Sequence, residues 1–258
     1  MSFFFAKSLV LPVLFLAGPL STVNVYNEDF GRIQKESLKN NNVKAVTGWT
    51  FTYKDGTPVK NGVRSSEEHF DQKGNRTEEI WYDEKGVSMK ESSFTYDEEG
   101  IELRNIGVNQ HKPFYNNWVY EYNDTTNELT RMHSQFRLNK EKWIYKYDRG
   151  GNKVEERYFD LGGVYVEHTV LKYDAKGKLS ERIVFDAYDN LNRKTVYGYD
   201  EKGNNTSEVV YNADMEMLKQ YSMKYDDKGN LTTRFEMDEK GITSQMTVFL
   251  YEFYTTSR

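Results

Sequence analysis

The chain has 258 residues, of which 15% are aromatic, 29% are charged and only four are proline, and its formal net charge is −5. Acidic and basic groups are interspersed and apolar residues recur at fixed intervals, which excludes both the basic footprint of a nucleic-acid binder and the composition of a disordered chain. The absence of cysteine excludes disulfides, thiolate metal sites, thiol chemistry and a lipid-modified N-terminal cysteine.

In chain order, Lys7 comes first, followed by an apolar run from Leu9 to Ala17 that ends at Gly18 and Pro19. The run is shorter than the roughly 20 residues of a membrane span. It predicts a secretory signal peptide over residues 1–21, cleaved between Ala17 and Val23. A buried helix or an uncleaved anchor is the alternative. Export to the periplasm or the cell exterior follows from the first reading, with no stable membrane span after cleavage. Residues 22–48 lack the period of the rest and predict a cap or partly ordered lead-in, with a short helix over Asn27 to Leu38 and a turn at Asn40-Asn41-Asn42. Residues 49–258 read as one β-repeat domain.

The repeat governs that domain. Phe70, Tyr96, Tyr122, Tyr147, Tyr173, Tyr199, Tyr225 and Tyr251 follow one another at spacings of 26, 26, 25, 26, 26, 26 and 26. Asp, or Asn at Asn123, comes next, and Gly stands four residues after the aromatic in most units, as at Gly203. This is the chemistry of a type I turn closed by a bulge, with Asp bonding the turn backbone and Gly accepting positive φ. A second turn signal, such as Tyr82-Asp83 with Gly86, recurs about halfway through each unit. The expected fold class is all-β: an antiparallel meander of about fourteen strands from 26-residue two-strand repeats, twisted and curled into a barrel or spiral. Two residues before each anchor stand Phe94, Tyr120, Tyr145, Leu171, Tyr197, Met223 and Phe249, so anchors and these residues share an apolar face. The opposite parity, Thr95, Glu121, Lys146, Lys172 and Lys224, faces water. The stretch Trp49-Phe51-Tyr53 resumes the register, yet Phe70 follows only 17 residues later, as though one strand were missing.

The strings KYDRGGN (Lys146 to Asn152), KYDAKGK (Lys172 to Lys178) and KYDDKGN (Lys224 to Asn230) resemble the tyrosine–aspartate repeats of Rhs-type proteins. That resemblance, over residues 66 to 258, implies a spiralling β-sheet and a link to carbohydrate binding. The encapsulating role of Rhs shells does not carry over to so short a chain. NNWVYEYN (Asn116 to Asn123) and EKWIYKYD (Glu141 to Asp148) also resemble a family of small secreted bacterial repeat proteins, which implies a compartment and a fold but no activity.

The search for chemistry returns no catalytic residue, no metal ligand set and no cofactor motif. His69, His111, His133 and His168 are not ligand-spaced. Glu78-Glu79, Glu155-Glu156, Glu181 and Glu208 recur at similar places in several units, the mark of a charged face more than of a glycosidase pair, which occurs once. Tryptophan carries the remaining signal. Trp49, Trp118 and Trp143 each precede an anchor tyrosine by four residues, and with Tyr120 and Tyr145 they form a candidate ligand-binding platform for stacking sugars or a peptide. The alternative is that all five are core. The expected function is an exported, non-enzymatic binding or scaffolding protein of the bacterial envelope with a glycan or protein partner. A secreted glycan hydrolase and a self-associating structural protein are the alternatives.

Overall fold

The computed structural model describes residues 36–59, 61–98, 102–110, 112–123, 125–133 and 141–255, without the side chains of 112–119 and 133. The predicted signal peptide and most of the predicted lead-in lie outside the described residues. A helical turn spans residues 36–40. The strands are β1 (Val43–Lys54), the two-residue β2 (Thr57–Pro58), β3 (Val63–Phe70), β4 (Arg76–Tyr82), β5 (Ser88–Tyr96), β6 (Glu102–Asn109), β7 (Lys112–Asn123), β8 (Glu128–His133) and β9 (Lys142–Tyr147). They continue as β10 (Lys153–Phe159), β11 (Tyr165–Tyr173), β12 (Leu179–Asp186), β13 (Leu191–Tyr199), β14 (Asn205–Tyr211), β15 (Met217–Tyr225), β16 (Leu231–Met237) and β17 (Thr243–Phe253).

From β3 to β17 every strand pairs antiparallel with the next, a simple meander. β1 then pairs with β17 on one side and with β3 on the other. The pairings therefore return to their starting strand, and sixteen strands form a ring in which each has two hydrogen-bonded neighbours. Closure removes the sheet edges. It also accounts for the apolar final strand, which is paired on both sides.

The ring corrects the expected strand count. Eight anchor-bearing strands, β3 to β17 by odd number, alternate with eight return strands, and the eighth return strand is β1 from the other end of the chain. No strand is missing before Phe70: β1 is the return strand of the last unit. It starts at Val43, so the boundary expected at Trp49 falls inside it.

The turns follow the sequence chemistry. In the turn after Tyr225, the Asp226 carboxylate accepts the Lys228 and Asn230 backbone N–H at 2.9 and 2.8 Å, and Asn230 Nδ2 donates to its other oxygen at 2.8 Å. Gly203 has φ +87°, and a Cβ there would lie 3.0 Å from the flexible end of Lys178. Asn41 Nδ2 donates to Asn230 Oδ1 at 3.0 Å, which docks the start of β1 on the turn of the preceding unit.

Alternation is clean. In β5, Lys90, Ser92, Phe94 and Tyr96 are covered while Met89, Glu91, Ser93 and Thr95 are exposed. β11 and β15 repeat the pattern, burying Thr169, Leu171, Tyr221 and Met223. The covered parity faces the inside of the ring. A small apolar cluster, Leu38, Val43, Val46 and Phe70 with Phe249 and Tyr251 packed on it, closes the seam between the chain's ends.

The anchor tyrosines have a role beyond burial. Tyr96, Tyr173, Tyr199, Tyr225 and Tyr251 each donate a hydroxyl hydrogen bond of 2.7–2.9 Å to a backbone carbonyl 20 residues earlier, at the bulged start of a return strand. Each anchor thus clasps its unit to the preceding one. Desolvation raises the pKa of Tyr96, Tyr199, Tyr225 and Tyr251, to about 12 at Tyr199, where the Glu208 carboxylate adds to the effect.

Candidate functional site

The inner wall is both aromatic and ionic. On β9 and β10, Trp143 stacks on Tyr158 with ring centroids 5.0 Å apart and an interplanar angle of 29°. The Tyr158 hydroxyl donates to Glu141 at 3.1 Å, and burial followed by that carboxylate pushes its pKa up to about 12. Tyr145 is buried, with the Lys153 ammonium 4.7 Å from its ring centroid. Lys153 is itself only 3% exposed and is neutralised by Glu156 at 3.1 Å. Arg131 of β8 sits in register between Tyr120 of β7 and Trp143 of β9, and pairs with Glu102 at 3.6 Å.

Three of the five residues singled out in the sequence therefore share one stretch of inner wall: Tyr120, Trp143 and Tyr145. Tyr120 commits its hydroxyl to the Glu102 carbonyl at 2.7 Å. Trp118 lies on β7 opposite His133, and its side chain is outside the described residues. Register through β8 sets Tyr120, not Trp118, across from Trp143. Trp49 is on the other face: it pairs with Val248, which pairs with Thr233, on the parity of exposed Lys224. It is 37% exposed beside an open cavity lined by Thr47, Arg64, Leu250, Tyr251 and Glu252. The reason is that β1 is a return strand, so its aromatic parity points outward.

The rest of the wall repeats this chemistry. Glu79, 4% exposed, meets Arg76 at 2.5 Å and Lys90 at 3.0 Å and accepts a hydrogen bond from the Trp81 indole. Burial raises its pKa, but the two cations outweigh that and hold the carboxyl below its ordinary range. Glu208 goes the other way: burial raises its pKa against the opposing pull of Arg234 and an Asn205 hydrogen bond. Of the recurrent glutamates, register places Glu79, Glu156 and Glu208 inward and Glu78, Glu155 and Glu181 outward, so adjacent pairs straddle the sheet. Among the described residues, no group of three or more His, Asp or Glu is placed to hold a metal ion. Rings set between guanidinium, ammonium and carboxylate groups suit a ligand with apolar faces and hydroxyl edges: the rings stack and the charges hydrogen-bond.

No family model matches the chain, and no curated protein matches it. Solved structures do. A porin-like protein from Bacteroides uniformis aligns over 81% of this chain and 98% of its own, at 9% identity and a TM-score of 0.51. The fold is similar to that of this porin-like protein. A second porin-like protein, from Bacteroides vulgatus, aligns over 81% and 98% at 11% identity with a TM-score of 0.40. A DUF1329 family protein from Desulfovibrio piger aligns over 88% and 92% at 8% identity with a TM-score of 0.32.

Proposed function

We propose that the chain is an exported, non-enzymatic binding protein of the bacterial envelope whose barrel interior takes a glycan. The Trp143–Tyr158 stack beside Tyr145, Tyr120 and Arg131 on the inner wall carries this reading, because ring faces flanked by ionic hydrogen-bonding groups match the two kinds of surface of a sugar. The porin-like relationship in fold and the apolar segment near residue 10 support the compartment. The resemblance to tyrosine–aspartate repeat proteins, with the link to carbohydrate that it implies, belongs to the same proposal.

The barrel sits in water, not lipid. Arg157, Lys194, Glu91 and Glu181 lie mid-strand on the outer face. A single Arg or Lys there would cost about 2–4 kcal/mol at a bilayer midplane. Most strands are also shorter than the roughly 9–11 residues a tilted transmembrane strand needs. A glycan array probed with the mature protein and with Trp143→Ala, checked for an unchanged circular dichroism spectrum and melt, tests the reading. Binding lost in the folded variant supports it. Binding by both proteins moves the site elsewhere, and binding by neither removes the glycan.

A further inference from the structure

The two ends of the barrel are not alike, and we infer that the end formed by the hairpin turns after the return strands docks a cationic partner segment that carries spaced apolar side chains. Six of the sixteen exposed large apolar residues among the described ones lie in its turns. Val87, Leu161, Val164, Tyr188, Met215 and Ile242 occupy the turns β4–β5, β10–β11, β12–β13, β14–β15 and β16–β17, at least one in each. Tyr188 is 85% exposed and Val164 62%. At the opposite end, the turn position that Val87, Val164 and Ile242 fill here holds Asn75, Asn152, Lys178, Asn204 and Asn230.

Backbone strain argues that the apolar tips are not incidental. The position with φ +75 to +77° that Gly86 and Gly241 fill is taken in the β14–β15 turn by Met215 at φ 62°. A side chain with a Cβ costs roughly 1–2 kcal/mol there, and in return the turn holds a half-exposed thioether in water.

Charge selects the occupant. The five turns 83–87, 160–164, 186–190, 212–216 and 238–242 hold nine carboxylates and two lysines. Backbone N–H bonds from Val87 and Lys85 lower the Asp83 pKa, and the Asn190 side chain followed by the turn N–H groups lowers that of Asp186, so both are charged at neutral pH. A second copy docked end to end would set like charge against like, and an anionic bilayer surface would meet the same repulsion. A cationic segment with apolar side chains satisfies both features. This surface is separate from the inner wall and does not depend on the glycan reading.

The test uses a fluorescent amphipathic peptide of leucine and lysine, with leucine–glutamate and serine–lysine peptides of equal length as controls, read by anisotropy. The expected result is binding of the leucine–lysine peptide alone, weakened by salt. Combined Val164→Ser, Tyr188→Ser and Ile242→Ser should weaken it roughly tenfold or more, while these exposed positions leave the melt unchanged and Trp143→Ala binds as the parent does. Equal binding by the serine variant, or by the leucine–glutamate peptide, overturns the inference. So does flotation with anionic vesicles, or dimerisation, that the serine variant abolishes, since either assigns the rim to lipid or to a second copy.

Discussion

Tyr225→Phe removes one oxygen from the inner wall and isolates what the anchor hydroxyl contributes. The hydroxyl donates to the Asn205 carbonyl at 2.7 Å, and Asn205 is 3% exposed, so water cannot easily replace the lost donor. A net hydrogen bond contributes about 1 kcal/mol, and stranding a buried acceptor raises the cost to about 2 kcal/mol. For a chain of this size that is a fall of roughly 3–6 °C in Tm. Tyr122 supplies the control: it is 58% exposed and its hydroxyl meets the Asn127 side chain, not a buried carbonyl, so Tyr122→Phe should change stability by less than about 0.5 kcal/mol. Thermal melts followed by circular dichroism, with urea titrations to confirm that m is unchanged, measure both. Equal melting temperatures for the two variants would refute the clasp.

Other perturbations probe the same wall. Tyr199 and Tyr158 are raised to about 12 by burial first and by neighbouring carboxylates second. An unfolded phenol titrates near 10, so this stabilisation is complete below that pH and is lost as pH rises from about 10 to about 12. Tyrosinate absorbance should lag behind a free-tyrosine titration until the ellipticity collapses; full ionisation near 10 with the sheet intact would contradict it. Glu79→Gln should cost about 1–3 kcal/mol at neutral pH, since it uncouples Arg76 and the partly exposed Lys90 from a buried carboxylate. Because the Glu79 carboxyl is held low, that contribution is present above the ordinary glutamate range and fades as pH falls through it, so parent and variant should converge in acid melts. Gly203→Val should cost roughly 1–2 kcal/mol for its positive φ, read as a lowered melt. Gly107→Ala is harsher: its Cβ would sit 1.7 Å from the Glu91 carbonyl oxygen, so β5 and β6 must part, and loss of soluble folded protein is expected.

Much of this architecture was legible in the chain. The 26-residue spacing of the anchors, the Asp and Gly of each turn, and the alternation around Phe94 and Met223 set the meander and its buried face, because each depends on neighbours close in sequence. Closure was not legible. β1 lies outside the 26-residue anchor period and its partner β17 lies at the other end of the chain, so no local pattern marks it as a return strand. The misplacement of Trp49 follows from that one omission. A tyrosine stands 20 residues after six of the eight return-strand starts, as Tyr225 does after Asn205, but a carbonyl carries no side-chain signature. The partnership of Trp143 with Tyr158 needed the strand register, which the bulge between Lys153 and Glu155 shifts.

The seam between β1 and β17 bears on how the protein reaches its native state. Val43 and Phe253, partners in that pairing, are roughly 210 residues apart. Joining them in an unstructured chain costs about 5 kcal/mol of loop entropy, against about 2 kcal/mol for a ten-residue hairpin. Hairpins that zip successively from β3 shorten the gap before the ends meet, so the strand made first has to wait for the strand made last. Until then the sheet keeps two open edges, and a chain cut short before Thr243 never loses them. A slow final phase that depends on both ends, with aggregation of truncated chains, is the kinetic signature of a ring closed by its termini.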